Sequence, residues 1–227
     1  MKIEEKNIFL EIYEKLYNFY GPQKWWPGRS RFEVIVGAIL TQNTSWSNVE
    51  KAIAVLRKKR ILKPERILKA DIRKLAASIR SSGCFNQKAK KLKNFANFLF
   101  KYYNGSLEMM FKGQTADLRK MLLELNGIGE ETADSILLYA GCKPVFVVDA
   151  YTRRLFSRYG IVQARDTYTQ IQKKFMDNLD NDAGLFNEYH ALIVTLGKSV
   201  CLKKNPLCGN CPLNEFKNHK IKEPRCR

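Results

Sequence analysis

Nowhere in this 227-residue chain is there a run of about 18 apolar residues, so a membrane-spanning helix is excluded. The opening Met-Lys-Ile-Glu-Glu-Lys is charged where a secretory signal would be apolar, and an intracellular, reducing location is expected. In that setting disulfides are excluded, and the six cysteines are thiols or metal ligands. Internal repeats, low-complexity tracts and long linkers are missing as well, which excludes a repeat array or a string of tethered modules. Histidine occurs only twice: His190 falls in a packed helix and His219 in a polar tail, and the chemistry inferred below requires neither. Acidic residues are few, 22 Asp+Glu against 40 Lys+Arg. The net charge of +18 favours a polyanionic partner, because phosphates neutralised by Lys and Arg release their counterions.

What is present is mostly helical spacing. Hydrophobic residues make up 45% of the chain, enough for a core in one large domain or two small ones. Ile8, Phe9, Ile12, Tyr13, Leu16, Phe19 and Tyr20 mark an amphipathic first helix that stops at Gly21-Pro22. Trp25-Trp26-Pro27-Gly28 is a loop in which either indole could plug the core beneath. Phe32–Leu40, apolar on nearly all sides, predicts a buried helix leading into the polar segment Thr41–Trp46. Pro64 and Asp71 are expected helix starts. Asn86 is the expected cap of a helix over Gln87–Tyr103, whose Lys88, Lys90, Lys91 and Lys93 predict a solvated face. Asp166–Leu179 and Leu185–Leu196 predict two further helices, and Cys84 and Cys142, standing apart, read as buried thiols.

The stretch that organises the rest is Leu125-Asn-Gly-Ile-Gly-Glu-Glu-Thr-Ala-Asp134. Gly127 and Gly129 break one helix and both permit positive φ, and a second helix resumes over Thr132–Tyr139. Outward-pointing amides at the turn and the positive end of the second helix make a seat for a phosphate oxygen. The bland alternative is an ordinary connection between two core helices. Further on, the buried run Pro144–Val148 delivers Asp149 to the start of a helix carrying Arg153 and Arg154. Taken locally, Asp149 is an N-cap.

The hairpin followed at this distance by Val148-Asp149 resembles the helix–hairpin–helix–GPD superfamily of DNA glycosylases, from about Trp25 to Cys211. Within it the chain looks closest to the bacterial class III 3-methyladenine glycosylases. The resemblance implies an all-α, two-lobed fold. A six-helix barrel over residues 27–138 would carry the hairpin, a second lobe would be built from residues 1–26 and 139–227, and Asp149 would lie in the cleft. It also implies a monomer that acts on double-stranded DNA in the cytoplasm, associated with the nucleoid. By the same match Asp149 is the carboxylate that steadies a sugar turning cationic and orients the attacking water. Gly127, Gly129 and Thr132 grip the strand, and Gln42 sits where it opens. Trp25 and Trp46 sandwich the extruded base, indole stacking being well suited to a positively charged alkylated purine. Ser82–Asn86 resembles the loop that wedges into duplex DNA, with Cys84 and Phe85 inserted. Bifunctional members carry a lysine before Thr-Ala. Here Glu131 stands there, and a carboxylate cannot form an imine, so a monofunctional glycosylase is implied, with Glu131 contacting the base or the water. The alternatives are an endonuclease III-like glycosylase and lyase acting on oxidised pyrimidines, and a non-catalytic DNA-binding protein.

Cys201, Cys208 and Cys211 resemble three quarters of the family's [4Fe–4S] loop, a spacing of soft thiolates that also suits zinc. The family's fourth cysteine is replaced by Lys217. Cys226 is the available substitute, with His219 a second choice.

Overall fold

The computed structural model describes residues 7–23, 25, 26, 28–214 and 216. Pro27, Lys217, His219 and Cys226, on which parts of the expectations above rest, lie outside the described residues. The chain is all-helical, with no strand among the described residues. In order, the helices are α1 (Ile8–Tyr20), α2 (Arg31–Leu40), α3 (Trp46–Lys58), α4 (Pro64–Lys69), α5 (Ile72–Ser78), α6 (Phe85–Tyr103), α7 (Leu107–Phe111), α8 (Thr115–Leu123), α9 (Glu130–Ser135), α10 (Ala150–Arg158), α11 (Tyr168–Asn178) and α12 (Ala183–Ser199). Helix α9 runs on into a wider π turn over Ile136–Ala140.

Capping explains many of these boundaries. Asn7, Ser30, Asp71, Ser106 and Asp182 each accept a hydrogen bond from a backbone N–H in the first turn of the helix they start. Thr167 and Gln170 form a reciprocal capping box on α11. The long helix α6 departs from expectation. It starts at Phe85 rather than after Asn86, with Cys84 as the preceding left-handed residue at φ 43°.

The chain divides into two compact units, one holding the described residues before Trp26 and after Lys143, the other Trp26–Lys143. The first is built on an aromatic cluster. Phe146 stacks on Phe175 at 3.9 Å between centroids, and Phe9 and Phe156 meet Phe175 edge-on at 4.9 and 4.6 Å. Tyr189, fully buried, donates its hydroxyl to the carbonyl of Phe9 at 2.8 Å and so ties α12 to α1. Such pairs add roughly 0.5–1.5 kcal/mol each beyond the area they bury.

The second unit is built around α2. All of Phe32–Leu40 is buried, as the unbroken apolar run predicts, and α2 packs against α3, α6 and the α9 segment. Its one charged core residue, Glu33, is held by Arg57 at 2.7 Å. Of the four α6 lysines expected on a solvated face, Lys90 is exposed but the other three are not. Lys88 is only 3% exposed, and Lys91 and Lys93 are half-buried, because their ammonium groups bond oxygens of neighbouring segments rather than water.

Candidate functional site

In the second unit the hairpin is held from three sides. Ile128 donates its N–H to Leu125 O at 3.0 Å, and the chain reverses at Gly127, whose φ is +92°. Gly129 does not use the left-handed region expected of it. At φ −94° and ψ 180° it takes the extended conformation usual for the residue that starts a helix, and one left-handed residue suffices for the turn. A Cβ on Gly127 would come within 2.6 Å of the Lys91 stem, whereas one on Gly129 would meet nothing within 4 Å.

Gln42 is the strut between the hairpin and the Thr41–Ser45 loop. Its amide nitrogen donates to Gly127 O at 3.1 Å and to Thr132 Oγ1 at 2.8 Å, and its amide oxygen accepts from the Lys91 ammonium. On the far side, Arg119 forms a two-pronged pair with fully buried Asp134, at 2.7 and 3.1 Å, which fixes α9 against α8. Glu131 is left on the exposed first turn of α9.

Half-buried Trp46 opens α3. Its ring meets Trp26 edge-on at 5.1 Å, and Trp26 in turn lies 4.9 Å from Tyr139. Both indoles rest on Gly37, where an added Cβ would stand 3.3–3.4 Å from them. Trp26 and Tyr139 were missed by sequence reasoning, although a lone glycine in an otherwise bulky buried helix was the available signal. Trp25 belongs to the other unit, with the Lys198 ammonium 5.6 Å from its ring centre.

The reading of Cys84 and Cys142 as buried thiols is corrected: both are exposed, because each occupies a left-handed turn position, at φ 43° and 51°, rather than a helix face. Phe85, beside Cys84, is half-buried, with the Arg80 guanidinium 5.8 Å from its ring centre.

In the first unit the extended run Pro144–Val148 is buried, and its backbone is satisfied by side chains. Gln172 donates to Phe146 O at 2.6 Å, and Val148 N–H donates to the Tyr168 hydroxyl at 3.3 Å. This presents Asp149 as the N-cap of α10. One carboxylate oxygen accepts from the Thr152 N–H at 2.8 Å and from its hydroxyl at 3.0 Å. The other lies 3.6 Å from His190 Nε2, too long for a hydrogen bond but close for a charge. Only 13% of the Asp149 side chain is exposed. Burial pushes the carboxyl up, but the interaction with His190 and the bonds from Thr152 outweigh it and hold it below the ordinary 3.8. His190 sits in the packed helix where it was expected. Its position beside Asp149 is what the sequence did not reveal.

The cysteine loop is braced by the same helix. Arg154 donates to Cys201 O and Gly197 O, both at 2.8 Å, and Arg158 donates to Cys201 Sγ at 3.1 Å. The Tyr159 hydroxyl donates to Leu213 O at 3.2 Å and lies 3.5 Å from Cys211 Sγ. Burial raises that phenol above its ordinary value, and the Cys211 contact and the charges of Cys201 and Cys208 add to the rise. Cys211 thus lies beside Tyr159 and Cys201 beside Arg158, and thiols in so basic a setting have the donor chemistry that a soft, negatively charged metal group calls for. Among the described residues no three such ligands come close enough together to hold an ion.

Residues 36–181 match the model of the HhH-GPD superfamily base excision DNA repair proteins. Over 217 residues the chain is 48% identical to a protein of Methanocaldococcus jannaschii named as a candidate DNA repair glycosylase, covering 95% of this chain and 98% of the other. It is 29% identical to the endonuclease III of Sulfolobus acidocaldarius over 83% of this chain and 82% of that one. Among solved structures it resembles the 3-methyladenine DNA glycosylase MagIII of H. pylori, bound to 1,N6-ethenoadenine. The TM-score is 0.74 and the identity 32%, over 84% of this chain and 97% of that one.

Two measurements check this geometry. Gly127→Ala, at φ +92°, is expected to cost about 1–2 kcal/mol of stability in chemical denaturation, while Gly129→Ala is close to neutral. The Asp149 carboxyl is depressed on folding, so its contribution is present above the ordinary value of 3.8 and lost as pH falls through the lower folded value. Asp149→Asn is accordingly expected to destabilise at about pH 7, with the gap to the parent narrowing as acid carries the solution below 3.8.

Proposed function

The chain belongs to the HhH-GPD superfamily of base excision DNA repair proteins, and within it we propose a monofunctional DNA glycosylase that removes an alkylated purine from double-stranded DNA. The observation that carries this reading is a pair of carboxylates in different settings. Asp149 is desolvated and held ionised at a helix start, and Glu131 stands at the position where lyases of the family carry lysine.

Breaking the bond between base and sugar builds positive charge on the ring, as in other glycoside hydrolysis. In this reading Asp149 steadies that charge and orients water toward the anomeric carbon. The base leaves with the bonding electron pair, and water supplies the hydroxyl of the abasic sugar. With no amine at position 131 there is no imine and no strand cleavage. Gly127, Gly129 and Thr132 seat a backbone phosphate. Gln42, Cys84 and Phe85 face the opened strand, and Trp25 and Trp46 flank the extruded base. The choice of an alkylated purine is supported by the similarity to MagIII, whose structure holds 1,N6-ethenoadenine. The endonuclease III relative favours a second reading, a glycosylase and lyase for oxidised pyrimidines.

A panel of duplexes carrying alkylated purines or oxidised pyrimidines separates the two. Excision of an alkylated base with no borohydride-trapped adduct is the expected result, and a trapped adduct on an oxidised pyrimidine would reverse the assignment. Asp149→Asn is expected to keep duplex affinity in gel shifts while single-turnover excision falls at least about a hundredfold.

We also propose that Cys201, Cys208 and Cys211, with Cys226 as the fourth ligand, hold a [4Fe–4S] cluster. Such a group would supply a rigid brace for the loop at α10. Protein purified anaerobically should be brown and contain about four irons per chain, the content of one such cluster. Colourless, iron-free protein that is fully folded and active would count decisively against it.

A further inference from the structure

Lys88 is the one lysine of α6 that is almost wholly buried, at 3% exposed, and its ammonium ends on carbonyls. It donates to Leu40 O at 2.9 Å and to Ser82 O at 2.6 Å, oxygens that lie 42 residues apart in the chain by number. Leu40 is the last residue of α2 before the loop that carries Gln42, and Ser82 directly precedes Gly83-Cys84. Both loops hold a non-glycine residue in the left-handed region, Asn43 at φ 53° and Cys84 at φ 43°, and both residues are exposed. Such conformations cost energy and persist only where the surroundings impose them. Burial pulls the ammonium below its ordinary value, with Cys84 opposing the shift and Lys91 adding to it. A charge kept in that setting has to be held by strong bonds, and neutral carbonyls are the partners found here.

We infer that Lys88 is a positioning residue whose two bonds mount the Gln42 loop and the Cys84–Phe85 loop on a single support, so that both meet the DNA strand in register. The inference rests on the proposed function, in which those loops face the opened strand. It concerns strand opening rather than bond breaking. Lys88 touches neither the sugar nor the base.

The test compares two substrates carrying the same lesion, one base-paired in duplex and one unpaired in a single-nucleotide bulge. Lys88→Met keeps the length of the side chain and removes its donors. Its single-turnover excision is expected to fall on the order of tenfold on the paired substrate, about the worth of one charged hydrogen bond, and less than about threefold on the bulge. Lys88→Arg, which retains charge and donors, is expected to restore the ratio of the two rates toward the parent's. A 2-aminopurine placed beside the lesion should brighten less with Lys88→Met than with the parent. If Lys88→Met does not fold, as judged by its melting curve, Lys88→Gln carries the same comparison. Equal losses on both substrates, or no loss on either, would overturn the inference. A parent protein that excises no lesion of the panel would remove the proposed function and this inference together, whereas an active parent with an unchanged ratio removes only the inference.

Discussion

A carboxylate buried to 13% exposure is costly to keep charged, and in this chain His190 and the start of α10 together offset that cost. Thr152 offers Asp149 both its amide and its hydroxyl, and the amides at the head of the helix add their positive end. The same helix, one to three turns on, engages the Cys201 segment through Arg154 and Arg158, and Tyr159 at its end lies beside Cys211. Helix α12 packs on α10 and brings His190 to the second carboxylate oxygen. One helix therefore carries the acid at its start and the anchor of the cysteine loop further along, while α12 supplies the histidine. Moving the start of α10 by a single residue would turn the acid by about 100° around the helix axis relative to that anchor, at 3.6 residues per turn.

Positive charge serves a second purpose in this protein besides attracting a polyanion. Lys88, Lys93 and Lys143 end on backbone carbonyls of other segments, as do Arg66, Arg153 and Arg154. Lys91 ends on the amide of Gln42, and Arg119 on buried Asp134. These groups satisfy oxygens at loops and helix ends, where the regular ladder of backbone bonds stops. The net charge of +18 is thus partly structural, and its size overstates the charge that is free to meet phosphates.

What could be read from the chain was what depends on near neighbours. Helix limits followed caps and breakers: Gly21 ends α1, Asp71 starts α5, and the buried run of α2 has the expected bounds within a residue. The hairpin and the helix that begins after Asp149 were legible because their signals lie within a few residues of each other. Pairings across long sequence separations were not. Spacing puts Lys88 in line with buried Leu92, Phe95 and Leu99, with exposed Lys90 on the opposite side, but nothing local shows that a carbonyl 48 positions away would receive its ammonium. Gln42 reaches Thr132 across 90 positions, and His190 reaches back to Asp149 across less than half that gap. Periodicity says which face of a helix is apolar but not what polar group waits opposite. The exposed thiols of Cys84 and Cys142 failed for a different reason: residue type was taken as the guide to burial, and backbone conformation decided it.

The N-cap reading of Asp149 and the catalytic one are often set against each other, but here they require the same geometry. A carboxylate that must stay ionised away from water needs donors that are already in place, and here the helix start supplies them alongside His190. Thr152 engages only one of the two oxygens, and the cap bonds define how the other is presented. An acid held in this way resists protonation while keeping an oxygen that can respond to charge developing nearby. Glu131, on the exposed first turn of α9, has no such enclosure. Solvent screens a carboxylate there far more strongly, so in the proposed function it is suited to contact and selection rather than to stabilising a cationic sugar. On that proposal the difference in burial between the two acids, rather than their shared charge, divides the roles.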